Sequence, residues 1–90
     1  MKRVHLLISG DVQGVGFRHA TRQCARPLGV VGWVRNLPTG QVEVVAEGEP
    51  GPLDRLIDWA KVGPRSARVD DVQIEWAEAT GEFGEFSIAH

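Results

Sequence analysis

The chain has 90 residues, with 10 Lys and Arg against 12 Asp and Glu and a formal charge of −2. Hydrophobic residues make up 42% and charged residues 24%, which excludes a disordered, collagen-like or disulfide-dense chain and leaves room for one domain, residues 1–90. The acidic balance argues against sequence-independent nucleic-acid binding, which needs a basic excess. Charge is nevertheless uneven: residues 1–35 hold six Lys/Arg and one acid, and residues 36–90 hold four and eleven. Cys24 is the only cysteine, so no internal disulfide can form and a reducing, cytoplasmic setting is expected. The opening MKRVHLLISG is too short in apolar residues for a secretory signal, and a membrane span needs ~20 of them. No membrane partner is expected.

In chain order, Val4, Leu6 and Ile8 alternate with His5, Leu7 and Ser9, the period-two pattern of a strand. The stretch Gly10-Asp-Val-Gln-Gly-Val-Gly16 breaks that pattern. From Phe17 the period becomes helical, with Phe17, Ala20, Thr21, Cys24, Ala25 and Leu28 on one face and Arg18, His19 and Arg22 on the other. Pro27 crowds the preceding turn and lacks an N–H, so the helix should end near Arg26, with Gly29 as its cap. Val30–Asn36 is β-branched and aromatic, and reads as a second strand. After the turn Leu37–Gly40, Val42, Val44 and Ala46 alternate with Glu43, Val45 and Glu47, which completes a hairpin. A second helix opens at Gly51-Pro52, carries the stripe Leu53, Leu56, Ile57 and Ala60, and stops at Gly63-Pro64. Val72, Ile74 and Trp76 mark a fourth strand, and Phe86 and Ile88 a short fifth.

This order, β-α-β-β-α-β plus a terminal strand, predicts an α+β fold: a ferredoxin-like sandwich of two helices on one antiparallel-dominated sheet. In that topology the first two strands run parallel with the third between them. Their C-terminal ends therefore share one sheet edge, ~10 Å apart. The Gly10–Gly16 loop, Arg18 and Asn36 meet there. Glycines let main-chain N–H groups approach a ligand, and a helix N-terminus adds free donors, so the edge suits an anion. Arg18, in the first turn, offers a planar fork matched to phosphate at an end where the helix dipole disfavours a cation. For the glycines taken alone, a tight strand-to-helix turn is the simpler reading. The loop is neither a dinucleotide fingerprint nor a Walker A sequence.

The fuller strings are more specific. Gly10-Asp-Val-Gln-Gly-Val-Gly-Phe-Arg18, Gly32-Trp-Val-Arg-Asn36 and Gly40-Gln-Val-Glu43 resemble the acylphosphatase family, and the resemblance covers nearly the whole chain. It implies a ferredoxin-like fold and metal-independent hydrolysis of the carboxyl-phosphate bond of acyl phosphates, with no cofactor. It also implies that Gln13, Gly14, Val15, Gly16 and Phe17 cradle the phosphate, that Arg18 binds it, and that Asn36 positions the attacking water. Inorganic phosphate is then the product and a competitive inhibitor, and the chain is expected to act as a monomer. The chemistry suits these residues. A carboxylate leaving group has a conjugate acid of pKa ~4 and needs no proton from the protein. Phosphoryl transfer is mainly positioning and charge stabilisation, which an arginine and main-chain donors supply.

Other residues read as structural. His19 and Arg22 are expected in solvent, Asp11 in turn formation, and Gln13 as a contributor of main chain. Arg35 should point to the sheet face opposite Asn36. Cys24 reads as a small core residue, Trp33, Trp59 and Trp76 as packing, and Glu43, Glu47 and Glu49 as a solvated acidic edge. His5, Cys24 and His90 have no metal-ligand spacing. The same element order occurs in RNA-recognition modules, but the third strand, Val-Glu-Val-Val-Ala-Glu, offers no stacking aromatics. A small-molecule-sensing domain is a further alternative, and carbamoyl phosphate a further substrate.

Overall fold

The computed structural model describes all 90 residues. Five strands, β1 (Lys2–Asp11), β2 (Val31–Asn36), β3 (Val42–Gly48), β4 (Arg68–Glu78) and β5 (Phe86–Ile88), form one sheet in the order β4-β1-β3-β2-β5. Helices α1 (Phe17–Ala25) and α2 (Pro50–Ala60) lie on one face of it. β1 is antiparallel to β3 and β4, β2 is antiparallel to β3, and β5 is parallel to β2. This is the α+β, ferredoxin-like arrangement that the element order predicts.

The alternating residues of β1 set the layering. Val4, Leu6 and Ile8 are fully buried and point toward the helices, where Leu53, Leu56, Ile57 and Ala60 of α2 meet them. Burial of such side chains stabilises by about 1.5–3 kcal/mol each. In α1, Phe17, Thr21 and Ala25 are buried, and the Thr21 hydroxyl donates to the Phe17 carbonyl at 2.8 Å. The Phe17 ring packs against Trp59 with centroids 5.4 Å apart, which ties the two helices together. As Pro27 demands, α1 ends at Ala25 and continues as one 3₁₀ turn, Arg26–Leu28, closed by Gly29 at φ 72°. α2 begins at Pro50, one residue earlier than expected. Pro50 and Pro52 both fall in its first turn, and the first helical bond runs from Leu53 N–H to the Glu49 carbonyl at 3.1 Å.

The far edge and the open face depart from the sequence reading. β4 starts at Arg68, four residues before the expected Val72, because Val69 and Arg68 continue the ladder opposite Gly10 and Asp11. Asp11 therefore ends a strand and does not form a turn. Trp76 is level with Val4 and on the helix side, but the helices stop short of this edge strand and leave it 46% exposed. Trp33 stands on the open face, where the Arg35 guanidinium covers its ring at 4.9 Å. Glu47 is only 1% exposed, which overturns its place in a solvated acidic edge. The cause is topological. The chain leaving β4 must reach β5 on the opposite edge, and residues 79–85 cross the sheet end over β3. Glu47 accepts from Thr80 N–H (2.9 Å), the Thr80 hydroxyl (2.9 Å), Gly81 N–H (3.0 Å) and Arg3 (3.3 Å). Burial works to raise the Glu47 pKa, but these donors outweigh it and hold the carboxyl below its ordinary value.

Candidate active site

Register fixes the frame of the site. Val42 of β3 is opposite Ile8 of β1 on one side and Asn36 of β2 on the other. Asn36 is thus level with Ile8, two strand spacings or ~10 Å away, and shares its helix-facing side. Arg35, one residue earlier, faces the other way and donates to Glu43 at 2.6 Å. The strand alternation expected for this pair holds.

Between β1 and α1 the chain turns through Val12–Gly16. Gly14 and Gly16 adopt φ 74° and 77°, and Gly16 caps α1 in the left-handed conformation with no side-chain bond. A Cβ at either position would meet no protein atom within 4 Å, so the glycines answer a backbone requirement and leave open space in front of the loop. From Gly14 to His19 no main-chain N–H donates to a protein acceptor; the first such bond is Ala20 N–H to the Gly16 carbonyl at 3.0 Å. Unpaired donors in a loop and the first helical turn form a site of positive potential.

A cavity of about 350 Å³ opens in front of these donors, lined by Gly14, Gly16, Arg18, His19, Arg22 and Asn36. Val12, Phe17 and Ile88 supply its apolar wall, and His90 completes the lining. The Asn36 Oδ1 atom is buried and has no hydrogen-bond partner. Neither Arg18 nor Arg22 is ion-paired, although Lys2, Arg3, Arg26, Arg35 and Arg68 all are. No carboxylate side chain lines the cavity. An arginine, an amide oxygen without a partner and a row of free N–H groups therefore face one space.

Several of the flanking expectations need revision. The Gln13 side chain contributes more than main chain: its amide donates to the Leu37 and Gln41 carbonyls at 2.8 and 2.9 Å, and so fastens the loop to the turn just after Asn36. The Ser66 hydroxyl holds the other flank by donating to the Val15 carbonyl at 2.9 Å. Neither contact had a local signature, since the partners are distant in sequence. Arg22 and His19 are not merely solvated; both line the cavity, and Arg22 Nη2 donates to His19 Nδ1 at 3.2 Å. Arg22 lies in the last turn of α1, where the dipole favours a cation, so Arg18 alone sits at the unfavourable end. Burial pushes the Cys24 thiol above its ordinary value, which disfavours the thiolate a nucleophile needs.

A sequence model of the acylphosphatase family matches residues 4–88. The chain belongs to the acylphosphatase family. It is 53% identical over 90 residues to an acylphosphatase of Marinobacter nauticus, covering 100% of this chain and 98% of that protein. Its fold superimposes on the acylphosphatase from Bacillus subtilis with a TM-score of 0.96 at 31% identity, each chain covered in full. For an acylphosphatase from Coxiella burnetii the values are 0.91 and 38%, over 98% of this chain and 92% of that one. Membership makes the chain a hydrolase of small-molecule acyl phosphates. No helix is long and apolar enough to cross a membrane.

Proposed function

We propose that the loop Gln13–Phe17 wraps the phosphoryl group of an acyl phosphate with its main-chain N–H groups, that Arg18 grips the same oxygens, and that Asn36 aims the attacking water. The reading rests on one observation: unpaired donors at the head of α1, the unpaired Arg18 and the partnerless Oδ1 of Asn36 face a common cavity. In the reaction the water oxygen bonds to phosphorus while the bond from phosphorus to the acyl oxygen breaks. The carboxylate leaves without a proton, its conjugate acid having a pKa of ~4. An amide accepts from and donates to water but is no base, so the proton of the water passes to a phosphoryl oxygen of the substrate itself. Arg18 and the N–H groups are oriented before the reaction and stabilise the charge that spreads over the equatorial oxygens. No step requires a metal or a cofactor.

The same reading takes residues 1–90 as one acylphosphatase domain acting as a cytoplasmic monomer, with inorganic phosphate competing for the site. It also favours a hydrolase over an RNA-binding module: on the open face Trp33 is covered by Arg35, and Glu43 bonds both His5 and Arg35 in place of a stacking platform. The test is hydrolysis of benzoyl phosphate in the presence of a chelator, with inorganic phosphate as inhibitor. Arg18→Ala should lower turnover by about 10³-fold or more and weaken phosphate inhibition strongly. Asn36→Ala should lower turnover by about 10²-fold while phosphate inhibits nearly as before. Full turnover in Asn36→Ala would end the water-positioning role. Undiminished phosphate inhibition in Arg18→Ala would remove Arg18 from the site, and loss of activity on chelation would overturn metal independence.

A further inference from the structure

We propose that this site selects acyl phosphates whose acyl group carries a second anion, a carboxylate or a phosphate, and that Arg22 is the residue that selects them. The inference rests on the acyl phosphate reading above and names its substrate class. Charge on the cavity wall is the first observation. Arg18 and Arg22 line it and no Asp or Glu side chain does, in a chain whose formal net charge is −2. The second is that Arg22 has no carboxylate partner; Arg55 and Arg65 also lack one, but of the unpaired arginines only Arg18 and Arg22 line the cavity. Its one polar contact is to His19, within α1 and on the same cavity wall.

Geometry separates the two guanidinium groups. Residues four apart on a helix are neighbours on one face, with Cβ atoms ~5–6 Å apart, and long helical side chains lean toward the N-terminus. Arg22 thus reaches back along the cavity wall toward Arg18 from one turn further on. The phosphoryl group held at the loop and Arg18 already has its donors, so the charge of Arg22 faces the part of the cavity that takes the acyl group. Val12, Phe17 and Ile88 suit the carbon skeleton of that group, and Arg22 its far end. A neutral acyl chain leaves this guanidinium unmatched, and an acyl chain ending in an anion pairs with it.

Meta- and para-carboxybenzoyl phosphate, compared with the matching toluoyl phosphates, give rigid probes of nearly equal size that differ in one charge. The wild-type chain should favour a carboxylated probe by about tenfold in kcat/KM, as expected for one charge-assisted contact. That ratio should fall to near one in Arg22→Gln and recover in part in Arg22→Lys, both with unchanged circular dichroism. A wild-type ratio near one at both ring positions overturns the inference, as does a preference that survives Arg22→Gln. Equal losses for charged and neutral probes in Arg22→Gln, with parallel loss of phosphate inhibition, also overturn it, because Arg22 then grips the transferred group. In all of these outcomes the toluoyl phosphates are still hydrolysed and the acyl phosphate reading stands. Absence of turnover for every probe would remove that reading and this inference with it.

Discussion

Asn36 and Glu47 stand near opposite ends of the paired strands β2 and β3, and they meet the requirements of a buried polar group in opposite ways. Both oxygens of Glu47 are filled by Thr80, Gly81 and Arg3, and the carboxylate pins the crossing segment to the sheet. The Oδ1 of Asn36 is buried with nothing to accept from. A satisfied buried polar group adds stability, while an orphaned one costs about 1–3 kcal/mol. The fold therefore gains at the Glu47 end and carries a local cost at the Asn36 end, beside the free N–H groups of the loop. With the proposed role of Asn36, stability and chemistry fall at different ends of one sheet.

Matched substitutions can break that comparison. Asn36→Leu should lower benzoyl phosphate turnover by about 10²–10³-fold and leave the denaturant midpoint equal to or above that of the wild type, since a partnerless oxygen is removed. Glu47→Leu should do the reverse: a loss of about 3 kcal/mol in urea unfolding, with turnover per folded molecule retained. If Asn36→Leu unfolds the chain, or Glu47→Leu abolishes turnover in folded protein, the division is wrong.

Acid sharpens the same contrast. The Glu47 and Glu43 carboxyls both titrate below their ordinary value; in each, burial opposes the shift and the donors prevail, Thr80, Gly81 and Arg3 for Glu47, His5 and Arg35 for Glu43. A depressed folded pKa contributes stability that is complete above the unfolded value of ~4.3 and is lost as pH falls through the folded value. Melting temperatures measured from pH 7 to pH 3 should fall on that limb, and Glu47→Gln should flatten it. The smallest effect is expected at Gln13. Removing its two bonds to the Leu37 and Gln41 carbonyls in Gln13→Ala should cost about 1 kcal/mol in unfolding and raise the phosphate inhibition constant severalfold.

What could be read from the sequence follows from the range of each interaction. The β1 alternation, the stripe of α2 and the Pro27 stop are set by neighbours a few positions away, and the structure follows them closely. Arg18 and Asn36 were also legible, because the element order fixes which strand ends share an edge. Gln13 was half legible: its place in the loop was clear, but its amide bonds carbonyls 24 and 28 residues away. Trp76 looked like core because its period matched a buried face, yet an edge strand runs past the cover of two short helices. Asp70 and Asp71 disguised the start of β4, since an exposed edge imposes no apolar pattern.

The linear order of residues thus determined the elements, the family motifs and the meeting of loop, arginine and asparagine, because periodicity and turn chemistry act over one or two turns of chain. Only the tertiary structure decided which polar groups are satisfied. Whether Glu47 is clasped, Asn36 left open or Arg22 kept free of a carboxylate depends on segments that come together from far apart, and a buried charge or amide takes its role from those partners.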